Sequence, residues 1–236
     1  MHPHTTPRRT IFLPPRTRRA RALATAAVTA MLLAGCSSAD DWSQPHDAPS
    51  AIGTLGPGYA DPVATPSPEA TITPRPGSWD GVHPSEGYRV VLLTAGKDRP
   101  TKTLVDAITA WAKEEDVSFR TVTMTHSSQF LPRIDAAIDL APDLIISAGN
   151  DLIDPLTTIT PHHLEQQFLV VGAELAEPTG NVTAADWTGA SFRGEGLGMS
   201  SAYDPDTFTP ERAARAVRAG VAAVLNDLTG IVVWLD

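Results

Sequence analysis

Arg89-Val90-Val91-Leu92-Leu93-Thr94, running into Ala95-Gly96-Lys97-Asp98, is an unbroken aliphatic run that ends on a small residue, a glycine and two charges. A run this short, bounded by a turn signal and rich in β-branched residues, reads as a strand buried on both faces that empties into a loop. Residues 101–115 follow with Leu104, Val105, Ile108, Trp111 and Ala112 at helical spacing and charges opposite. Val117-Ser118-Phe119-Arg120-Thr121-Val122-Thr123-Met124 alternates apolar and polar, the pattern of a strand near a sheet edge. A short helix through Ile134, Ala137 and Ile138 leads to a third strand, Asp143-Leu144-Ile145-Ile146-Ser147-Ala148-Gly149. Over residues 151–166 the prolines and the Thr157-Thr158-Ile159-Thr160 run favour two short helical pieces over one long helix. Gln167-Phe168-Leu169-Val170-Val171-Gly172 and Asn181-Val182-Thr183-Ala184-Ala185-Asp186-Trp187 read as a fourth and a fifth strand. Strands alternating with helices imply right-handed crossovers, and therefore a three-layer α/β domain on a mainly parallel sheet.

Further downstream, residues 188–210 have no period and read as a long loop. Gly194, Gly196 and Gly198 fall in it, but they do not join a strand to a helix and no Lys-Ser/Thr pair follows, so they make no phosphate cradle. Thr209-Pro210-Glu211 has the residues of a helix start, a hydroxyl cap followed by proline at the first position. The helix it opens carries Ala213, Ala216, Val217, Gly220, Val221, Val224 and Leu225 on one face, and a sixth strand follows over residues 231–235.

Upstream the composition changes. Residues 36–87 hold nine prolines among Gly, Ser, Thr, Ala and Asp, with no apolar period, and read as a disordered Pro-rich tether in which Trp42, Tyr59 and Trp79 are isolated aromatics. Before the tether, six arginines and no acidic residue precede a short apolar segment, residues 22–34. That segment is below the roughly 18 residues of a spanning helix but matches the core of a secretory signal. Leu33-Ala34-Gly35-Cys36 ends it and resembles the bacterial lipobox, in which the thiol is alkylated with diacylglycerol and the chain is cut in front of the cysteine. The expected organisation is thus a signal peptide over 1–35, a tether over 36–87 and one folded lobe over 88–236. Lipidated Cys36 would hold that lobe on the extracytoplasmic face of the cell membrane.

The charge agrees with a surface of that kind. Six of the 18 Lys and Arg residues lie before residue 22, leaving 12 against 27 acidic residues and a net charge of −15 beyond the signal. An acidic surface excludes nucleic acid as a partner. Cys36 is the only cysteine, so no disulfide within the chain supports the fold.

In an open parallel sheet, ligands collect where the strands end at their carboxyl side. Those ends present Lys97 and Asp98, Asn150, Glu174, and Asp186 with Trp187, which are the candidate ligand-binding residues. A bland alternative exists for each polar one, a solvated loop end or a helix cap, with Asn150 or Asp151 suited to cap the next helix. No constellation for catalysis or metal binding is present. His162-His163 lacks a third ligand at metal spacing, and Ser127 and Ser147 lack a Gly-x-Ser-x-Gly elbow. Neither enzyme activity nor a cofactor is expected.

Strand, Gly96-Lys97-Asp98, helix, Asp143-Leu144-Ile145-Ile146-Ser147-Ala148-Gly149-Asn150, Gln167-Phe168-Leu169-Val170-Val171-Gly172 and the Asn181 strand together resemble the N-terminal lobe of the basic membrane lipoprotein family. These are PnrA-like substrate-binding lipoproteins of ABC importers, and residues 211–235 are similar to the family's passage into its second lobe. The resemblance implies a type I periplasmic-binding fold, an ABC permease as partner, and a small polar solute, a nucleoside in characterised members, as ligand. The family's first ligand loop carries an aromatic and an asparagine where this chain has Arg99-Pro100-Thr101-Lys102, so only Asp98 carries over. Residue 236 falls where the second lobe would begin. The expectation is therefore a single lobe, with a degenerate surface lipoprotein of interaction or sensory role, or a truncated gene product, as the alternatives to an importer component.

Overall fold

A computed structural model of the chain describes residues 42, 43, 46, 50–192 and 202–235. Every described residue belongs to one compact unit, Ser37–Asp236. The signal segment and Cys36 lie outside the described residues, as do Gly194, Gly196 and Gly198.

Among the described residues, nine strands and four α-helices follow one another in the order β1 (Thr71–Ile72), β2 (Arg89–Ala95), α1 (Arg99–Glu114), β3 (Ser118–Met124), α2 (Phe130–Ile138), β4 (Leu144–Ala148), α3 (Ile153–Ile159), β5 (Phe168–Val171), β6 (Ala173–Glu174), β7 (Val182–Asp186), β8 (Ser191–Phe192), α4 (Pro210–Leu225) and β9 (Val232–Trp234). Seven strands form one sheet in the order β1-β9-β7-β5-β4-β2-β3, with every pair parallel, and β6 and β8 form a separate parallel pair. The fold is a three-layer α/β architecture.

The aliphatic run that opened the reading is the centre of it. All seven residues of β2 are buried, and they alternate between two cores. Val90 and Leu92 join Leu144, Ile146, Leu169, Val171 and Val233 beneath α1 and α4, whereas Val91 and Leu93 join Ile145, Phe168 and Val170 beneath α2 and α3. That double burial is the reason the strand sequences show no polar alternation. At the sheet edge, β3 is buried only at Ser118 and Met124, with half-buried and exposed residues between them.

The helices form for legible reasons. Asp98 caps α1 by accepting from the Thr101 amide, with Pro100 in the first turn, where its missing N–H costs nothing. Thr209 caps α4 through the Arg212 amide with Pro210 at the first position. The stretch after β4 breaks into α3 and a 3-10 turn, Thr160–His162. Its cap is Leu152 without a side-chain bond, so neither Asn150 nor Asp151 caps it. Helix α4 lies so close to the sheet that a Cβ on Gly220 would meet Leu169 Cδ1 at 2.6 Å and Ala185 Cβ at 3.1 Å.

The tether expected over 36–87 is corrected by the packing of residues 50–87. Tyr59 and Trp79 are 2% and 4% exposed, sit edge to face with centroids 6.4 Å apart, and join the α1 and α4 core. The Tyr59 hydroxyl donates to the Ala219 carbonyl at 2.5 Å. Ile52 and His83 form an antiparallel bridge, and β1 adds itself to the sheet beside β9. Trp42 is buried as well: its indole N–H donates to Ser118 Oγ at 2.7 Å while the Arg120 guanidinium lies 4.5 Å from the ring centroid. His46 Nε2 meets Asp143 Oδ2 at 2.8 Å. The buried face of α4 takes in Ala219, Ala222 and Ala223, with the Tyr59 hydroxyl bonded at Ala219. A chain without regular period is therefore held by a few large aromatics, each of a type that buries about 150–250 Å².

Candidate functional site

The strand order reverses at β2, which has β3 on one side and β4 on the other although β3 follows it in sequence. At such a reversal the loops leaving adjacent strands diverge and open a crevice at the carboxyl ends. A cleft of about 500 Å³ lies there, lined by Asp98 and Thr101 after β2, Gly149, Asn150 and Asp151 after β4, and Gly172 after β5, with Ser191, Tyr203 and Phe208 closing its far wall. A hollow of about 670 Å³ along the Pro-rich segment is larger, but Asp61 is the only charged side chain among its lining residues.

Each lining group is placed by a specific local cause. Asp98 is fixed as the α1 cap, its Oδ1 accepting from the Thr101 amide at 2.9 Å and its Oδ2 from the Thr101 hydroxyl at 2.8 Å. Partial burial raises its pKa, but the two bonds from Thr101 more than offset this and hold the carboxyl below its usual range. Asp151 comes from the turn after β4 to the same place: a Cβ built on Gly96 would meet Asp151 Oδ2 at 2.2 Å and Asp98 Oδ2 at 3.1 Å. The two carboxylates therefore flank one point, and Gly96 is required there both by its φ of +82° and by this space. Gly172 at the cleft floor is equally constrained, because a Cβ would come within 2.9 Å of Phe208 Cε1.

The far wall is an aromatic stack. Trp187, fully buried, lies edge to face on Phe208 with centroids 5.0 Å apart, and Phe208 meets Tyr203 at 5.8 Å. Tyr203 ends the stack with 53% of its surface exposed. Partial burial, then the charges of Asp98 and Asp151, raise the pKa of the Tyr203 phenol, with Arg99 opposing them.

Of the residues expected at the site, Asp98 and Asn150 line the cleft. Lys97 is exposed beside it without lining it. Trp187 is part of its support, with its indole N–H donating to Thr207 Oγ1 at 3.1 Å. Glu174 and Asp186 are not among the lining residues: they are 3% and 1% exposed and hydrogen-bond to one another. Burial comes first in raising both pKa values, and for Asp186 the bond and charge of Glu174 add to it, so the pair holds a proton where free carboxyls would not. Asp151, Ser191, Tyr203 and Phe208 were not legible as site residues. Three of them fall in the aperiodic stretch read as a loop, and only the fold brings that stretch back over β2.

His162 ends a 3-10 turn, His163 Nδ1 lies 3.5 Å from Glu165 Oε1, and among the described residues no group of three or more His, Cys, Asp or Glu could hold a metal ion. No described helix is long and apolar enough to cross a membrane.

No protein-family model matches the chain, and neither does any curated protein. Among solved structures, the chain is similar to ABC transporter system solute-binding proteins from Aeropyrum pernix K1, at 22% identity and a TM-score of 0.38, over 42% of this chain and 28% of that one. It is also similar to a crystal structure described as "putative lipoprotein from Peptoclostridium difficile 630 (fragment)", at 19% identity and a TM-score of 0.42, over 58% of this chain and 98% of that one. The chain thus spans less than a third of the length of the first of these. At such identities the likeness is one of fold alone.

Proposed function

We propose that the chain is an extracytoplasmic lipoprotein that binds a small polar solute, a binding-protein-like component of an ABC importer, divergent from the basic membrane lipoprotein family. The observation that carries this reading is the cleft at the strand-order reversal, where Asp98, Asn150, Asp151 and Tyr203 converge on a volume of about 500 Å³. That volume lies within the ~300–1,000 Å³ of small-molecule sites. The charged leader, apolar segment and Leu33-Ala34-Gly35-Cys36 support residues 1–35 as a cleaved signal and Cys36 as the lipidated first residue of the mature chain. A binding role is favoured over a catalytic one because Asp98 is committed to a helix cap and no base and nucleophile pair faces the cleft among the described residues.

Two experiments test the reading. Metabolic labelling with an alkyne fatty acid is expected to mark the wild-type chain and not Cys36→Ala; label retained by the variant removes the anchor. Isothermal titration of the processed lipoprotein in detergent against nucleosides, amino acids, sugars and amines is expected to find a saturable one-site ligand. A folded protein that binds none of the panel removes the importer reading and favours a surface interaction role.

A further inference from the structure

The lining of the cleft has one sign. Among its described residues are two carboxylates, an asparagine, two hydroxyl side chains and two aromatic rings, and no Lys, Arg or His. Among the described residues, the cations beside the cleft do not line it: the Arg99 guanidinium bonds Asp206 and donates to the Pro205 carbonyl at 3.1 Å, and Lys97 is exposed outside the lining. The amino terminus of α1 faces the cleft and supplies about half a positive charge, but the full negative charge of Asp98 already sits on it. Asp151 adds a second, and its carboxylate has no hydrogen-bond or ionic partner among the described residues. The described lining residues repel an anionic solute.

Beside those carboxylates stands an exposed ring backed by a buried one. Tyr203 rests on Phe208, which packs on the fully buried Trp187, so its ring is backed by the core while about half of its surface stays exposed. Carboxylate and aromatic face attract the same kind of group by independent means, Coulombic attraction for the one and the ring quadrupole for the other.

We infer that the cleft binds a small organic cation, a protonated amine or quaternary ammonium on an apolar body, with the charge between Asp151 and the face of Tyr203. This inference rests on the ligand-binding reading of the cleft and narrows it.

The processed full-length lipoprotein in detergent is titrated with agmatine, choline and benzyltrimethylammonium, and in parallel with adenosine, glucose and glutamate. At least one cation is expected to bind at one site, and glutamate is not. Asp151→Asn, which keeps shape and removes charge at an exposed position, is expected to weaken that binding about ten-fold or more. Tyr203→Ala is expected to weaken it and Tyr203→Phe to retain it, since the ring face and not the hydroxyl makes the contact. Cation binding unmoved by Asp151→Asn overturns the inference. Adenosine or glucose binding that is lost in Tyr203→Ala, with no cation bound, overturns it while leaving the cleft reading intact. Binding of none of the six removes both.

Discussion

Replacement of Tyr59 by alanine tests whether the Pro-rich segment is part of the fold or a leash. The side chain is 2% exposed, stacks edge to face on Trp79 and donates its hydroxyl to the Ala219 carbonyl within α4. Truncating a buried aromatic costs about 3–5 kcal/mol through lost transfer energy and the cavity left behind. Removing the hydroxyl alone costs far less. Ala219 lies within α4, whose last residue is Leu225, so its carbonyl also has an amide partner four residues on. Tyr59→Phe is therefore expected to lose about 1 kcal/mol. The assay is urea unfolding of the whole chain, comparing midpoints and slopes for wild type, Tyr59→Phe and Tyr59→Ala. A loss of several kcal/mol is a large part of the ~5–15 kcal/mol that holds a typical domain together. If Tyr59→Ala falls within about 0.5 kcal/mol of wild type, the level expected of an ordinary surface position, the segment does not pack on α4.

Three further outcomes follow from named contacts. Gly220→Ala gains about 1 kcal/mol of helix propensity, but its methyl lies 2.6 Å from the buried Leu169 Cδ1 and overpacking costs about 1–3 kcal/mol; a lowered melting temperature is expected, and a raised one refutes the close approach. Asp98→Ala removes the α1 cap and leaves the Thr101 amide without its acceptor, an expected loss of about 1 kcal/mol readable as a shifted urea midpoint. Glu174 and Asp186 have pKa values raised in the folded state, so folding retains a proton that the unfolded chain releases above about pH 4. Their contribution to stability is greatest below that pH and declines as pH rises toward the folded values. Asp186→Asn is expected to flatten this slope in melting experiments between about pH 5 and 8, and an unchanged slope refutes the shared proton.

The elements that could be read in advance are those whose environment repeats along the chain. Strands β2, β4 and β5 are buried on both faces, so their burial is written as uninterrupted aliphatic sequence, and β3, at the edge, carries polar residues through its exposed middle. Helix α1 shows its face by spacing and its start by Asp98 and Pro100. From these the parallel three-layer order and the position of a cleft at the carboxyl ends follow, with Asp98 and Asn150 in it. Composition misled over residues 50–87, because low apolar content counts residues and not the area each one buries: Tyr59, Trp79 and Val82 suffice to seat that segment. Pairing of β1 with β9 joins residues 71–72 to 232–233, a contact across most of the chain that leaves no local pattern.

Local chemistry and periodicity therefore determined strands β2 to β5, β7 and β9, the caps of α1 and α4, the acidic balance and the lipobox-like Leu33-Ala34-Gly35-Cys36. Tertiary structure alone decided which polar groups share a site. Asp151 faces Asp98 because β4 lies next to β2, and Tyr203 reaches the cleft because Phe208 rests on Trp187. Glu174 is withdrawn because it bonds Asp186 in the interior. Those pairings depend on the distance between residues far apart in sequence, a quantity that no residue's own propensity encodes.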